Sequence, residues 1–240
     1  NERNRCNHRD YHNMGVNGAR VEELEPFELL MDRNRTAGVK PLLAIYSMVG
    51  NDVCNGHHTF KTMTTPKEYF ERVEKALLEA DTFLPTGSKV IIIPLVDGRI
   101  LYDTMHKRIH PIGRLNKDVT YTDFYDYLNC LDISPCWGWM NSNDTVRNTT
   151  WEIATSLNEQ IPKVIDALNG TLRHISAHFL GQVYGDAINS YPGPKWEMIE
   201  PTDGFHPSQL ANSIIGEMLF NRTVAAGLVA GENPFNADII

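Results

Sequence analysis

The sequence lacks a long apolar run, and it lacks the basic excess of a nucleic-acid-binding protein. None of its apolar stretches approaches the ~18 residues that mark a transmembrane helix, so we predict no membrane span. It has 22 Lys and Arg residues against 30 Asp and Glu residues, and its formal net charge is −8. Because phosphate binding needs cations that replace counterions, this balance argues against a nucleic-acid partner.

Also absent is a Cys-x-x-Cys pair, although the chain contains four cysteines. An even count without that spacing favours disulfide bonds over a zinc site or a redox motif. Three pairings are open. A bond between Cys130 and Cys136 would close a short loop, but the sequence does not choose between the pairings. The disulfide candidates are Cys6, Cys54, Cys130 and Cys136.

Five Asn-x-Ser/Thr sequons, like the even number of cysteines, are typical of a protein of the secretory route. Each is a candidate acceptor for a glycan on an exposed segment. Together with paired cysteines they predict a secreted or lumenal protein of the endolysosomal or vesicular route. The first residues show no signal-peptide pattern, so we expect the targeting segment to lie outside this sequence. The sequon asparagines are Asn34, Asn143, Asn148, Asn169 and Asn221.

Strand-like and helix-like patterns alternate along the chain, with no repeat and no linker that would separate two domains. Continuous apolar runs typical of buried strands are followed by apolar residues at helical spacing. Strands that are apolar on both faces predict an α/β fold, in which a parallel sheet is covered by helices on both sides. The predicted strands lie near Tyr11 and over residues 41–49, 89–96 and 172–180, and the predicted helices cover 21–32, 64–81, 120–130, 151–168 and 207–229.

Polar residues that suit ester chemistry follow several of these strands. The stretch NMGVNGAR has two glycines whose turn can expose backbone N–H groups to an oxyanion. Asn51 can aim its amide at the same crevice, while Asp52 caps the next turn. In DGFHPS, His206 can act as a general base and Asp203 can orient its ring. Each motif alone is also an ordinary turn, but together they fall at the sheet edge where ligands bind.

These motifs together resemble the SGNH, or GDSL-type, esterase and lipase superfamily. Gly18 matches the glycine of its second block, and Asn51 matches the third block in Gly-Asn-Asp. Asp203 and His206 match the terminal Asp-x-x-His block. The resemblance implies a three-layer α/β/α sheet of flavodoxin-like type, a Ser-His-Asp triad, and an oxyanion hole that includes Gly18 and Asn51. It implies no cofactor and no metal.

Stretches outside those blocks narrow the resemblance. They are similar to lipases of this superfamily that remove secondary fatty acyl chains from the lipid A part of lipopolysaccharide. The resemblance therefore implies a lipid or lipopolysaccharide substrate, and a general phospholipid or carbohydrate esterase is the alternative within the superfamily. The stretches read RNRCNHRDYHN, MVGNDVC, GRLNKDVTY, LNCLDISPCWGWM, IEPTDGFHPSQ and GENPFN.

The nucleophile block of the family, Gly-Asp-Ser, has no counterpart here. The 17 residues before Gly18 contain no serine, and Gly-Asp-Ala in YGDAINS is interpreted as a turn. Ser47 lies in a predicted strand and Ser208 at a helix start. We therefore expect residues 1–240 to be the C-terminal portion of one SGNH domain, incomplete in this chain, with the serine on a preceding segment or a disulfide-linked partner chain. The alternative is an inactive, glycosylated lipid-binding or structural subunit.

A basic segment over residues 99–117 follows the strand that ends near Val96. Its position after a strand places it near the crevice. Arg99, Lys107 and Arg108 are therefore candidates for a positive lip that meets lipid phosphates. An exposed loop with no such role is the alternative.

Two histidines and three tryptophans are interpreted as structural residues rather than as parts of a metal site or an acyl-chain site. His106 and His110 have a spacing that would suit a metal on a helix, but no carboxylate or cysteine completes the set. A solvated basic turn is the interpretation that we adopt. Trp137, Trp139 and Trp151 are expected to pack a loop rather than face an acyl chain.

Overall fold

The computed structural model describes residues 18–21, 43–48, 50–54 and 58–229 of the 240-residue chain. The strand predicted near Tyr11 and the helix predicted over 21–32 lie outside these ranges except for Val21, as do the candidate residues Cys6 and Asn34. None of the helices in the described ranges combines the length and the apolar character that crossing a bilayer requires.

Three parallel strands form the described sheet: β1 (Leu43–Ser47), β2 (Ser88–Ile93) and β3 (Ile175–Phe179), in the order β1-β2-β3. Ile91 of β2 is in register with Ile45 of β1 and with His178 of β3. The three predicted strands are confirmed, with shorter bounds. Since the strands are parallel, their carboxyl ends lie along one edge of the sheet, where ligands bind in folds of this type.

The helices are α1 (Pro66–Phe83), α2 (Arg99–Met105), α3 (Tyr121–Cys130), α4 (Asp144–Asn158), α5 (Gln160–Ala167), α6 (Val183–Ser190) and α7 (Gln209–Ala225). Short 3₁₀ helices cover Phe60–Thr62, Pro111–Gly113 and Lys195–Met198. The start of α1 follows its sequence pattern, because Thr65 and Glu68 form a reciprocal capping box and proline occupies the first turn. Ser208 likewise caps α7 by accepting a hydrogen bond from the Ala211 N–H.

Two predictions about secondary structure are wrong. The single helix expected over 151–168 is two helices, because Pro162 has no N–H to continue the ladder to Asn158 and α5 begins anew at Gln160. The basic segment after β2, for which the sequence left a loop open, begins as helix α2. The stretch YGDAINS is helix α6 rather than a turn, and its Asp186 is paired with Arg222 of α7.

Alternate side chains of β2 lie in two different core clusters. Val90 and Ile92 pack with residues of α1, α3, α4 and α5, whereas Ile91 and Ile93 pack with residues of α6 and α7. Because successive strand residues point to opposite faces, this division places helices on both sides of the sheet. The structure thus confirms the three-layer α/β/α architecture. Among the described residues no further strand pairs with β1, where Ile45 is 50% exposed.

A disulfide bond joins Cys54, just after β1, to Cys136, after α3. Of the pairings that the sequence left open, the structure therefore selects this long-range one and does not form the short Cys130–Cys136 loop. Cys130 is exposed and pairs with no described cysteine. The bond ties the turn after β1 to the segment after α3, and both segments border the carboxyl ends of the strands.

We expect the double variant Cys54→Ser/Cys136→Ser to lose about 3–5 kcal/mol of unfolding free energy, because the bond closes a long loop in the unfolded chain. The two cysteines are 82 residues apart. Denaturant unfolding under non-reducing conditions measures the loss. Cys130→Ser is the matched control and should leave the midpoint unchanged. Equal midpoints for wild type and the double variant would contradict this role of the disulfide.

Candidate active site

Gly18 and Asn51, the two candidate oxyanion residues, lie near each other because Asn51 contacts the residue that follows Gly18. The Asn51 side-chain N–H donates a hydrogen bond of 2.7 Å to the Ala19 carbonyl. Gly18 has a φ of +78°, which favours glycine, and no atom lies within 4 Å of where a Cβ would stand. The backbone at Gly18 is exposed, so the surface beside these two residues is open to a ligand.

Asp52 is a residue whose role the sequence did not reveal. Its side chain is fully buried, and it accepts hydrogen bonds from the Val21 N–H at 3.3 Å and the Thr64 hydroxyl at 2.7 Å. The Tyr46 hydroxyl donates to the Val21 carbonyl at 2.9 Å. Asp52 therefore does more than cap a turn. It ties the Gly18–Val21 turn to the turn that presents Asn51.

The carboxyl group of Asp52 has an unusual pKa. Burial raises its pKa from 3.8 to about 6 by penalising the charged form, although the two hydrogen bonds and the cations of Arg20 and Arg72 act in the opposite direction. A buried carboxylate that links two turns was not visible in the sequence, because Asp52 is 31 residues from Val21. The only sequence feature that could have indicated a role for Asp52 at the site is its position next to Asn51.

Asp203 and His206 form the hydrogen bond that their spacing suggested. The His206 Nδ1 lies 2.6 Å from the Asp203 Oδ2. The other carboxylate oxygen accepts hydrogen bonds from the backbone N–H groups of Phe205 and His206. In the part of the chain that the structure describes, nothing is hydrogen-bonded to Nε2 of His206. The ring is therefore oriented by one nitrogen and open at the other, and its side chain is 58% exposed.

The pair shifts the pKa of both partners. The hydrogen bond to Asp203 raises the pKa of His206 above its ordinary 6.5, and partial burial opposes this only in part. Partial burial would raise the pKa of Asp203, but the hydrogen bonds from His206 and from two backbone N–H groups lower it overall. Asp203 is thus ionised wherever His206 titrates, as an imidazole-orienting carboxylate requires.

The Asp203 loop is held by side chains of α3. The hydroxyls of Tyr121 and Tyr125 donate to the carbonyls of Pro201 and Gly204. Gly204 has a φ of +64°, and a Cβ there would stand 2.7 Å from both tyrosine side chains. The loop therefore needs glycine at this position for two independent reasons, and α3 determines where Asp203 lies.

His110 supports the same loop and corrects the prediction of a solvated basic turn. Its side chain is buried and stacks on Phe124 with ring centroids 3.9 Å apart. Nε2 donates to the Thr202 carbonyl at 3.0 Å, and Nδ1 accepts from the Ile112 N–H. These roles require a neutral ring, and burial accordingly lowers the pKa of His110. His106 lies at the end of α2 against Tyr102.

The two halves of the site share one core cluster. Val21 and Tyr125 are buried in it, and Phe205 packs against it. Trp139 is also buried there and lies so close to Gly98 that a Cβ would stand 2.0 Å from its ring. Packing is thus confirmed for Trp139, and Trp137 and Trp151 also pack against this cluster while partly buried.

The candidate lip residues have different surroundings. Arg99 forms an ion pair of 2.6 Å with Asp97 and donates to Asn148. Arg108 lies over the ring of Trp196 at 3.9 Å, and Lys107 is exposed. Arg99 also borders an open cleft of about 470 Å³ that contains three carboxylates, so its surroundings are not positive. The polar residues of that cleft are Asp97, Arg99, Asp103, Asp144, Arg147 and Asn148.

Four candidate glycosylation sites lie in the described ranges, and all four asparagines are exposed: Asn143, Asn148, Asn169 and Asn221. Asn143 also caps α4 through its side-chain oxygen. No group of three His, Cys, Asp or Glu side chains within residues 18–21, 43–48, 50–54 and 58–229 converges as metal ligands would.

The profile of the GDSL-like lipase/acylhydrolase family matches residues 2–219. The chain belongs to this family, as the motifs and the three-layer fold indicate. It is 40% identical to acyloxyacyl hydrolase of Oryctolagus cuniculus over 245 residues, and 38% identical to acyloxyacyl hydrolases of Homo sapiens and Mus musculus over 244 residues. Each alignment covers 99% of this chain and 42% of the relative. The chain thus spans about two fifths of the length of the curated relatives it matches.

Replacing Asp52 by asparagine tests the buried link between the two turns. The unfolded chain releases the Asp52 proton near its ordinary pKa of 3.8, whereas the folded chain holds it to about 6. The free energy of unfolding should therefore fall as the pH rises through this window, by about 3 kcal/mol from this group.

Denaturant unfolding at the two ends of that window measures the fall. In Asp52→Asn this component should vanish, whereas the exposed Asp126→Asn should titrate like wild type. Carboxyl groups with a lowered pKa, such as Asp203, change the stability in the opposite direction in both proteins, so the difference between the two profiles isolates Asp52. The same pH dependence in wild type and Asp52→Asn would show that Asp52 is not buried in this way.

Proposed function

We propose that this chain carries the acid–base and oxyanion groups of a serine ester hydrolase of the GDSL type. The observation that carries the proposal is the contact between Asp203 and His206, which orients the ring through Nδ1 and leaves Nε2 open. A general base must have one nitrogen within reach of the proton that it removes. His206 meets this requirement on an exposed surface.

In the proposed reaction a serine hydroxyl attacks the ester carbonyl while Nε2 of His206 takes its proton. Asp203 stabilises the imidazolium that forms. The imidazolium then gives the proton to the leaving alcohol as the carbon–oxygen ester bond breaks, and an acyl-enzyme remains. Water, deprotonated by the same nitrogen, attacks the acyl-enzyme and releases the fatty acid, so that serine and His206 return to their starting states.

Gly18 and Asn51 are proposed to stabilise the oxyanion of both tetrahedral intermediates. The Asn51 amide has two N–H groups, and one of them donates to the Ala19 carbonyl. No described residue accepts from the second, which we propose donates to the substrate, and the fixed amide loses little freedom when it binds. Loss of one such donor typically lowers kcat by about 10²–10³.

We propose that the nucleophile comes from a segment or partner chain outside these 240 residues. Residues 1–17 contain no serine, and the curated relatives are more than twice as long as the aligned region. Ser47 ends β1, and Ser208 is committed to the start of α7. The outer edge of β1 pairs with no other described strand, and we propose that a strand of that segment is accommodated there.

The proposed substrate is an acyloxyacyl ester, a fatty acyl chain esterified to the hydroxyl of another acyl chain. The names of the similar proteins from three mammals specify this bond. Secondary acyl chains of lipid A in lipopolysaccharide have this linkage, and we propose their release as the activity. The Cys54–Cys136 disulfide and the exposed sequons support a secreted or lumenal site of action, where disulfides persist.

A fluorophosphonate probe on the full-length protein tests the triad, because it labels only an activated serine. We expect labelling of wild type and none of His206→Ala. His174→Ala is the matched control, since His174 directly precedes β3, at the opposite edge of the sheet. For Asp203→Asn we expect kcat/KM to fall by about 10³–10⁴.

The pH profile gives a second measurement of the same pair. The wild-type kcat/KM should rise with pH through a pKa above 6.5, since His206 must be neutral to accept a proton. That pKa should fall in Asp203→Asn. Wild-type protein that neither labels nor hydrolyses any ester would instead support the inactive lipid-binding subunit.

Substrate choice separates the proposed activity from a general esterase. We expect the full-length protein to release the secondary acyl chains of lipopolysaccharide while leaving the primary chains bound. The measurement is chromatography of released fatty acids from lipopolysaccharide and from phospholipid vesicles at equal ester concentration. Faster release from phospholipid would favour the general phospholipid esterase.

A further inference from the structure

The loop between α2 and α3, residues 106–119, exposes large apolar side chains at its tip. Leu115 is 92% exposed and Ile112 is 71% exposed, and Ile109 at the base is 39% exposed. Single exposed apolar residues are common on protein surfaces, but a cluster within one short loop marks an interaction site. We call this segment the 106–119 loop.

The same loop is basic, although the protein is acidic. Its cations are Lys107, Arg108, Arg114 and Lys117, all exposed, and its one carboxylate is Asp118. The loop thus carries a net charge of +3 in a chain whose formal net charge is −8. Positive charges around exposed apolar side chains complement a binding partner whose outer layer is anionic and whose interior is apolar.

The residues at the two ends of the 106–119 loop are held firmly in place. His110 is buried against Phe124, and its backbone N–H donates to the Val119 carbonyl at 2.9 Å. Gly113 packs so closely that a Cβ would stand 2.5 Å from the Val119 nitrogen. Because the base is fixed, the exposure of Ile112 and Leu115 follows from how the loop is built.

The 106–119 loop adjoins the loop that carries Asp203. Nε2 of His110 donates to the Thr202 carbonyl, one residue before Asp203. Arg108 lies over the ring of Trp196 at 3.9 Å, and Trp196 is itself 37% exposed. The base of the 106–119 loop therefore contacts the loop that carries the proposed general base.

We propose that the 106–119 loop docks the protein on an anionic lipid surface, with Ile112 and Leu115 inserted among acyl chains and the four cations at the phosphates. Apolar insertion combined with basic side chains is how peripheral segments bind such surfaces. The purpose of the contact rests on the proposed function, because docking would bring acyl esters to His206. The docking itself does not depend on hydrolysis.

The experiment uses the full-length protein and vesicles of phosphatidylcholine with or without phosphatidylglycerol, with binding measured by co-sedimentation. We expect binding to the anionic vesicles that salt weakens. Each cation near such a surface contributes about fivefold to partitioning, so Arg114→Gln/Lys117→Gln should bind roughly 25-fold more weakly. Ile112→Ser/Leu115→Ser should also lose binding.

Matched controls are Lys67→Gln/Lys163→Gln and Leu78→Ser, which change exposed residues on α1 and α5. They should bind like wild type. Because all the replaced side chains are exposed, we expect every variant to keep its fold. Thermal unfolding of each variant measures this.

Several results would overturn the proposal. Equal vesicle binding by wild type and both loop variants would exclude the loop as a docking surface. So would a L115C variant that an aqueous maleimide does not label in the absence of vesicles, since a protein segment would then cover the tip. Hydrolysis of a water-soluble short-chain ester should be unchanged in the loop variants. If wild type fails to hydrolyse that ester, the proposed function fails, while vesicle binding still decides the docking.

Discussion

Burial of β2 on both faces is the constraint on which the rest of the structure depends. Its side chains alternate between two core clusters, so helices must cover the sheet on both sides. A parallel sheet so covered offers ligands only the edge at its carboxyl ends. Asn51 follows β1 at that edge, and Gly98 follows β2. The fold therefore concentrates chemistry at one edge before any catalytic residue is considered.

Helix α3 and the segment after it connect the two halves of the candidate site. Tyr121 and Tyr125 hold the loop of Asp203, while Cys136 is bonded to Cys54 in the turn that follows Asn51. One structural unit thus supports both the base and an oxyanion donor. In both contacts a buried tyrosine hydroxyl donates to a backbone carbonyl of the loop.

Much of the fold and part of the site could be predicted from the sequence, because the signals are local. Uninterrupted apolar runs indicated β1 and β2, and the capping pattern at Thr65 indicated the start of α1. The contact of Asp203 with His206 spans three residues within one turn, so the motif itself carries the geometry. For Gly18 and Asn51 the sequence indicated a common edge, because strands buried on both faces predict parallel pairing and the carboxyl ends of parallel strands lie at one edge.

What the sequence by itself determined was the class of fold, the three described strands and the short motif in which Asp203 contacts His206. The tertiary structure alone decided the partner of Cys54, the burial of His110, and the link that Asp52 makes to Val21. The physical reason is that burial and charge depend on which segments pack together. Contacts between residues 31 to 92 positions apart leave no periodic trace in the chain.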